Sequence, residues 1–194
     1  MAVEEAAETT TPTRRLPGVE GIWVFLGVDS VIFLLLFGSF VSARHADPVL
    51  FETSRQALNR TLGGLDTLIL LTSSWQVALG IKALRHDELD RAPRFLLGGW
   101  LLGLAFMVSK SVEYGEKLVS GITPGTNLFY SWYFILTGVH LLHVIGGTTA
   151  LVLVWSRARR YGSGARLVPE SVASFWHLVD LLWIMIFPLL YLMR

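Results

Sequence analysis

The stretch GIWVFLGVDSVIFLLLFGSFV, residues 21–41, decides the fold class. It contains a single charged side chain, Asp29. As an α-helix it would be about 31 Å long at 1.5 Å per residue, which matches the hydrocarbon core of a bilayer. A helix at the surface of a soluble protein would need a polar face, and this stretch has none. We therefore predict that it spans a membrane.

Four further apolar runs are also long enough to cross a membrane. The five predicted spans are residues 21–42, 62–81, 95–112, 128–155 and 172–193. They contain only four of the 31 charged residues, which are Asp29, Asp66, Lys110 and Asp180. The sequence thus predicts an all-α integral membrane protein with a five-helix transmembrane domain.

Residues 18–194 form this predicted domain, and the polar residues 1–17 are expected to be a disordered tail rather than a cleavable signal peptide. The charged segment 43–61 is long enough to carry an interfacial helix. Loop charges predict the orientation: one side carries ten basic residues and the other five. The amino terminus is therefore expected in the cytoplasm and the carboxyl terminus outside.

Composition excludes several classes of protein. Apolar residues make up 53% of the chain and charged residues 16%, against about 25% charged in soluble proteins. There is no cysteine, which excludes disulfide scaffolds, iron–sulfur clusters and thiolate metal centres. The net charge of +1 gives no support to nucleic-acid binding.

Charged groups inside the spans are candidates for function, since each costs at least about 2.5 kcal/mol to insert. Asp29 must face the bundle or a partner, or remain protonated. It is either a proton-exchanging or lipid-contacting carboxyl, or a neutral acid that hydrogen-bonds a neighbouring helix. Lys110 and Glu113 lie three residues apart on one helical face, and Glu113 precedes Lys117 by four. This spacing allows an ion-pair cluster, which is either a structural clasp or a proton relay.

The fourth and fifth spans contain polar pairs at the same spacing, His140 with His143 and His177 with Asp180. Histidines on facing helices could ligate heme, but the set is small and no thiolate is available. We favour an interhelical polar network of His140, His143, Trp176, His177 and Asp180.

Other residues have expected structural roles. Gly99 with Gly103, and Gly146 with Gly147, should allow close helix contact. Pro188 should kink the last turns of its helix. Asp66 and Tyr191 are both expected at the membrane interface.

Four motifs, in this order, resemble subunit III of the heme-copper oxidase superfamily, over Leu16 to Arg194. Residues 21–33 resemble the helix that opens the family's conserved five-helix part. SVEYGEKL (111–118) resembles its Glu-aromatic stretch. GVHLLHVIGG (138–147) resembles its His-x-x-His helix, and FWHLVDLLWIMIF (175–187) its Trp-His-x-x-Asp helix.

The resemblance implies a noncatalytic subunit without heme or copper of its own, in the plasma membrane of a bacterial cell. Such a subunit packs against catalytic subunit I, supports its proton uptake, stabilises it during turnover and holds phospholipids. Asp29 then stands at the family's intramembrane carboxylate, which is usually Glu. The other matched motif positions are Glu113, His140, His143, Trp176, His177 and Asp180.

The chain resembles a short form of this family, since the two helices that lead the seven-helix form have no counterpart in it. It is also similar to the subunit-III-like accessory protein of bacterial nitric oxide reductases, which stays an alternative. Two hypotheses come from other classes. One is a b-type heme membrane cytochrome that uses pairs such as His140 and His177, and the other is a small proton-coupled transporter that uses Asp29 and Glu113.

Overall fold

The computed structural model describes residues 17–161 and 166–193. Within those residues the chain forms helices and no strand. The six α-helices are α1 Glu20–Ala46, α2 Pro48–Gln56, α3 Arg60–Arg85, α4 Ala92–Val119, α5 Leu128–Arg157 and α6 Leu167–Phe187. A 3₁₀ turn, Ala158–Arg160, follows α5, and a π-helical turn, Pro188–Leu192, follows α6.

Five of these helices, all but α2, are long and apolar enough to cross a membrane, which confirms the predicted all-α membrane fold. Their ends extend beyond the apolar runs. For example, α4 continues to Val119, seven residues past the predicted end. The added turns contain Glu116 and Lys117, which are good helix formers but lower the local hydropathy. The predicted disordered tail, except for Pro17, lies outside the described residues.

The short helix α2 confirms that segment 43–61 carries a helix. Asp47 caps its start by accepting a hydrogen bond from the Leu50 amide at 3.0 Å, and Pro48 occupies the first turn. Near its end, the buried Arg55 donates to the Tyr191 carbonyl at 3.0 Å and pairs with Glu52. The Arg55 hydrogen bond, followed by that of Gln56, lowers the pKa of Glu52 from 4.5 to about 2.

Three of the four predicted glycines, Gly99, Gly103 and Gly147, allow the spanning helices to approach closely, whereas the prediction is wrong for Gly146, which faces open space. A Cβ atom at Gly99 would lie 2.7 Å from Cγ2 of Val77, so the Val77 side chain of α3 packs directly against the backbone of α4 there. Lipid tails are as apolar as the helix surfaces, so no hydrophobic driving force joins the helices. Close van der Waals contact of this kind is therefore one of the interactions that hold α3 against α4.

Trp176 of α6 fills the space between two glycines on neighbouring helices. A Cβ at Gly103 of α4 would lie 2.8 Å from its ring, and a Cβ at Gly147 of α5 would lie 2.6 Å from it. The indole is fully buried and donates to Ser73 Oγ of α3 at 3.2 Å. One aromatic side chain thus contacts three other spans.

Helix α1 lies at the edge of the bundle but is tied to other elements at both ends. At its start, the Gly18 amide donates to Glu170 at 3.0 Å and the Val19 amide to Ser171 at 2.9 Å. At its end, Arg44 donates to the carbonyl of Met193 at 2.7 Å. Between these contacts most of its surface faces outward.

The helix geometry changes at Pro188, the position where a kink was predicted. The α-helix ends at Phe187, and Pro188 begins the wider π-helical turn, which the Met193 amide closes by donating to the Pro188 carbonyl at 2.8 Å. This turn directs Tyr191 into the bundle, where it is fully buried. The expectation that Tyr191 belongs to an aromatic belt facing the membrane surface is therefore wrong.

Candidate functional site

Two groups of polar side chains inside the bundle are chemically distinctive. The first, which we call the charge cluster, consists of Asp66, Lys110, Glu113 and Tyr191. Its members come from α3, α4 and the π-helical turn. All three charged side chains are at most 3% exposed. The cluster is thus enclosed by the protein and not by lipid.

Lys110 lies at the centre of the charge cluster. Its ammonium forms an ion pair with Glu113, lies 3.0 Å from Asp66 Oδ2 and donates to the Tyr191 hydroxyl at 3.2 Å. The same ammonium lies 4.5 Å from the ring centre of Trp183, within the range of a cation–π interaction. The ion pair that the three-residue spacing allows is therefore present.

The carboxylates of the cluster differ in their hydrogen bonding. Glu113 Oε1 accepts from the Tyr191 hydroxyl at 2.8 Å, while Oε2 accepts from Lys110. Neither oxygen of Asp66 accepts a well-aligned hydrogen bond from the described residues, and Asp66 contacts Lys110 as an ion pair at 3.0 Å. Lys117, which the spacing also placed near Glu113, instead donates to the Ala57 carbonyl at 2.8 Å.

The sequence pattern predicted the contact between Lys110 and Glu113, but it did not predict that Asp66 and Tyr191 join them. Asp66 lies only seven residues into α3, and Tyr191 lies three residues past Pro188. Both positions are typical of the membrane interface. The sequence nevertheless contained an indication of the cluster. Asp66 on α3 and Glu113 on α4 are acids within spanning helices, and Lys110 is the single lysine available there to neutralise them.

The second group is a pair, Asp29 of α1 and His143 of α5. His143 Nε2 lies 3.0 Å from Asp29 Oδ1, and His143 Nδ1 lies 2.8 Å from the Val139 carbonyl. A carbonyl oxygen can only accept, so Nδ1 must carry a hydrogen. The Nε2–Oδ1 contact then holds one proton, either on a cationic imidazole or on a neutral carboxylic acid.

This pair is less enclosed than the charge cluster. The His143 side chain is 21% exposed and the Asp29 side chain 8%. The ring of Phe33 covers one side of the imidazole, with its centre 5.3 Å away. Asp29 Oδ2 has no hydrogen-bond partner among the described residues, so one carboxyl oxygen is free to accept another donor.

The remaining predicted residues do not form one connected network in the described part of the chain. Trp176 bonds Ser73, which donates to the Gly99 carbonyl at 2.7 Å, and His177 Nδ1 lies 2.6 Å from Ser74 Oγ. His140 and Asp180 are buried, and neither side chain has a hydrogen-bond partner among the described residues. The imidazole of His140 instead lies against aromatic rings, with the ring centre of Trp183 5.3 Å away.

Among residues 17–161 and 166–193, no three histidine or acidic side chains are grouped as metal ligands. His140 and His177, the pair proposed for heme, contact different neighbours, Trp183 and Ser74.

Comparison with known proteins places this bundle in a family. The family model for cytochrome c oxidase subunit III matches residues 17–194. The chain belongs to the cytochrome c oxidase subunit III family. This assignment confirms the resemblance carried by the four motifs, and the match covers all five spans.

Individual relatives agree with this assignment. Cytochrome c oxidase subunit 3 of Synechocystis sp. is 32% identical over 89% of this chain and 74% of its own length. Quinol oxidase subunit 3 of Bacillus spizizenii is 29% identical over 96% of this chain and 91% of its own length. Cytochrome bo(3) ubiquinol oxidase subunit 3 of Buchnera aphidicola is 26% identical over 89% of this chain.

The subunit III family assignment settles the class of the protein. It is a noncatalytic subunit of a heme-copper terminal oxidase complex and a multi-pass protein of the bacterial plasma membrane. The three named relatives are all oxidase subunits, and they lend no support to the alternative of a nitric oxide reductase accessory protein.

Proposed function

We propose that this chain supports proton uptake by catalytic subunit I and stabilises that subunit during turnover. In this proposal it performs no redox step, and the heme and copper belong to partner subunits. The absence of cysteine supports the assignment of copper to partner subunits, since no thiolate copper centre can form on this chain. We expect the chain to bind phospholipid in the membrane.

The observation that carries the proposal is the Asp29–His143 pair. Its imidazole Nε2 and carboxyl Oδ1 lie 3.0 Å apart, so one proton can bridge the two side chains. The pair joins the edge helix α1 to α5, and its imidazole is 21% exposed, so a group outside the bundle can reach it. A group of this kind can hold and release a proton beside a partner subunit.

The charge cluster has a different part in this proposal. Its ammonium and carboxylates satisfy one another inside the bundle and are at most 3% exposed, so they have little access to protons from outside. We assign it a structural role, joining α3, α4 and the end of α6. Of the three candidates for proton exchange, only Asp29 then exchanges a proton. Lys110 and Glu113 instead hold the helices together.

Purification of the oxidase with and without this chain tests the general role. We expect the heme absorption spectra to be the same, because the redox centres lie on other subunits. Activity should decline sooner during continuous turnover in the complex that lacks the chain. Loss of a heme band on removal would contradict the noncatalytic role.

The variant Asp29→Asn tests the specific role of the pair. The asparagine amide can donate to a neutral His143 Nε2, so the hydrogen bond and the fold should persist while the exchangeable proton is lost. We expect normal assembly and heme spectra, but turnover that declines sooner and a changed pH dependence of proton uptake.

The matched control is Asp90→Asn, which removes an exposed carboxyl from the turn between α3 and α4. It should behave as the native complex. The role of the pair would be contradicted if the Asp29→Asn complex sustained turnover as long as the native complex and had the same pH dependence of proton uptake. This would hold even if deletion of the whole chain had the expected effect.

A further inference from the structure

A cavity of about 320 Å³ lies between α3 and α6, at the end of the bundle that is predicted to be cytoplasmic. We call it the α3–α6 cavity. Its walls include two alanines, Ala78 of α3 and Ala173 of α6, which contribute only methyl groups. Its volume is sufficient for several water molecules. None of the functions considered above uses it.

Contacts between α3 and α6 close the cavity at its rim and at its floor. At the rim, Arg85 of α3 pairs with Glu170 of α6 at 2.8 Å. At the floor, His177 is the lining residue furthest along α6, and its Nδ1 lies 2.6 Å from Oγ of Ser74 on α3. The cavity therefore follows one helix interface from the charged surface towards the middle of the membrane.

Asp180 lies one helical turn beyond this floor, three residues after His177 on α6. It is 3% exposed, and no ion pair of the described residues includes it. The Ser74 hydroxyl lies beside its carboxyl without forming an aligned hydrogen bond. An unpaired carboxylate at this depth is costly, so Asp180 holds a proton at rest.

The titratable groups on the neighbouring helices do not neutralise Asp180. Lys110 of α4 and His140 of α5 both lie against Trp183, one turn further along α6, and Lys110 is already paired within the charge cluster. On α1, Asp29 faces His143. Five titratable groups line the α3–α6 cavity itself: Lys82, Arg85, His86, Glu170 and His177. Of these, His177 is the one that reaches inward to Ser74.

We propose that the α3–α6 cavity is a hydrated inlet through which Asp180 binds and releases a proton, with His177 and Ser74 as the relay. Water in the cavity donates a proton to Nε2 of His177, and the proton on Nδ1 passes to Ser74 Oγ. The hydroxyl proton of Ser74 then passes to the Asp180 carboxylate. One proton enters and one is bound, and release reverses the order.

The two relay groups suit this chemistry. An imidazole can accept a proton at one ring nitrogen while it donates from the other, and a hydroxyl can donate and accept at the same oxygen. The site joins α3 to α6, whereas the Asp29–His143 pair joins α1 to α5. The inference therefore does not rest on the proposed role of Asp29, and either one can fail without the other.

Infrared difference spectroscopy of the oxidase complex that contains this chain tests the proton on Asp180. A protonated carboxyl group has a C=O stretching band that shifts when deuterium replaces the proton. The native complex should have one such band that Asp180→Asn loses and Asp29→Asn retains. No difference between the native complex and Asp180→Asn in this band would overturn the proposal.

The rate at which this band shifts after transfer to heavy water tests the relay. Ser74→Ala and His177→Phe should each slow the exchange by about tenfold or more, because each removes one proton-transferring group and leaves Asp180 in place. The matched control, Thr72→Val, removes an outward-facing hydroxyl from the same helix and should exchange as the native complex does. Exchange at the native rate in either relay variant would overturn the route.

A third comparison tests the cavity as the inlet. Ala78→Phe places a ring in the α3–α6 cavity and should slow the exchange, while Ala105→Phe adds the same ring to an exposed position of α4 outside the cavity and should not. Both alanines are exposed, so both complexes should assemble with native heme spectra. Equal exchange rates in these two variants would overturn the assignment of the cavity as the path to Asp180.

Discussion

Lys110 is a residue whose removal should strongly destabilise the bundle interior. It is 1% exposed, and it faces two carboxylates, Asp66 and Glu113, that are equally enclosed. A buried ion pair is often no more stable than an apolar replacement of the whole set, because desolvation offsets the attraction. Removal of one partner is different, since it leaves the other charges buried without compensation.

The variant Lys110→Met should therefore be destabilised by about 3–5 kcal/mol. Methionine has a similar length and fills the same space, so the loss reflects charge and not a cavity. Thermal dissociation of this chain from the purified complex in mild detergent, together with the thermal unfolding of the separated chain followed by circular dichroism, measures the change.

The control for this prediction is the triple variant Lys110→Met, Asp66→Asn and Glu113→Gln. It removes all three charges together and should recover most of the lost stability. A single variant as stable as the native chain, or a triple variant no better than the single one, would contradict the account of the cluster given above.

At the scale of the helices, Trp176 determines how closely α4, α5 and α6 approach. The indole lies against Gly147, where an added Cβ would be 2.6 Å from the ring, while a Cβ at the adjacent Gly146 would meet nothing within 4 Å. Two neighbouring glycines with opposite surroundings provide a direct comparison on one turn of α5.

Gly147→Ala should destabilise the bundle by about 1–3 kcal/mol, because the rigid, fully buried ring must shift to admit the methyl group. Gly146→Ala should instead stabilise it by about 0.5–1 kcal/mol, since alanine favours the helix and the methyl group enters open space. Thermal unfolding of both variants measures the difference. Equal effects of the two substitutions would show that Trp176 does not set the helix spacing.

The docking of α2 should depend on pH through Glu52. Its pKa is lowered from 4.5 to about 2, mainly by the hydrogen bond from Arg55. A lowered pKa means that the ionised carboxylate stabilises the folded state above the unfolded pKa. This contribution should be complete above pH 4.5 and should disappear as the pH falls to about 2.

Comparison of the native chain with Glu52→Gln isolates this effect from other acids that titrate in the same range. The difference in unfolding temperature between the two should shrink steadily as the pH falls from 4.5 towards 2. A difference that stays constant over that window would contradict the assignment.

The helices were largely predictable from sequence, and the contacts between them were less so. Apolar runs of 18 or more residues predict spans directly, since the bilayer fixes both length and composition. The i, i+3 spacing of Lys110 and Glu113 predicts a contact within one helix. Asp66 and Tyr191 were missed because they join that contact through helix packing and a π-helical turn after Pro188, which no local pattern encodes.

The difference between local sequence pattern and helix packing also explains which properties of the histidines could be predicted. Spacing correctly placed His140 and His143 in one span, but it could not tell which partner each side chain would meet. His143 meets Asp29 across a sequence separation of 114 residues, whereas His140 meets aromatic rings and has no hydrogen-bond partner among the described residues. Their roles in a polar network stay a prediction.

At the scale of the whole molecule, the ten-to-five split of basic residues predicts the orientation of the bundle. The turn between α3 and α4, which contains Asp90, should face the cytoplasm, and the turn between α4 and α5, which contains Gly125, should face outward. Both residues are exposed. The chain has no cysteine, so an introduced one is the only thiol on this subunit.

A membrane-impermeant maleimide applied to intact cells should label Gly125→Cys and leave Asp90→Cys unmodified. Inverted vesicles should give the reverse pattern. The subunit is separated by electrophoresis after labelling, so that thiols on other subunits do not interfere. Labelling of Asp90→Cys in intact cells would show that the bundle has the opposite orientation.

The contacts at the two ends of α1 have a consequence for biosynthesis. Glu170 and Ser171, which fix its start, and Met193, which fixes its end, all come from the last spanning segment. During translation, α1 leaves the ribosome more than 120 residues before these partners exist. Among the five spans that the structure describes, α1 is thus the first to be made and the last to have both ends bound, and its Asp29 can meet His143 before either end is bound. A nascent chain arrested before Glu170 should therefore have an α1 that insertion machinery or chaperones can still reach, and release of the completed chain should end that access.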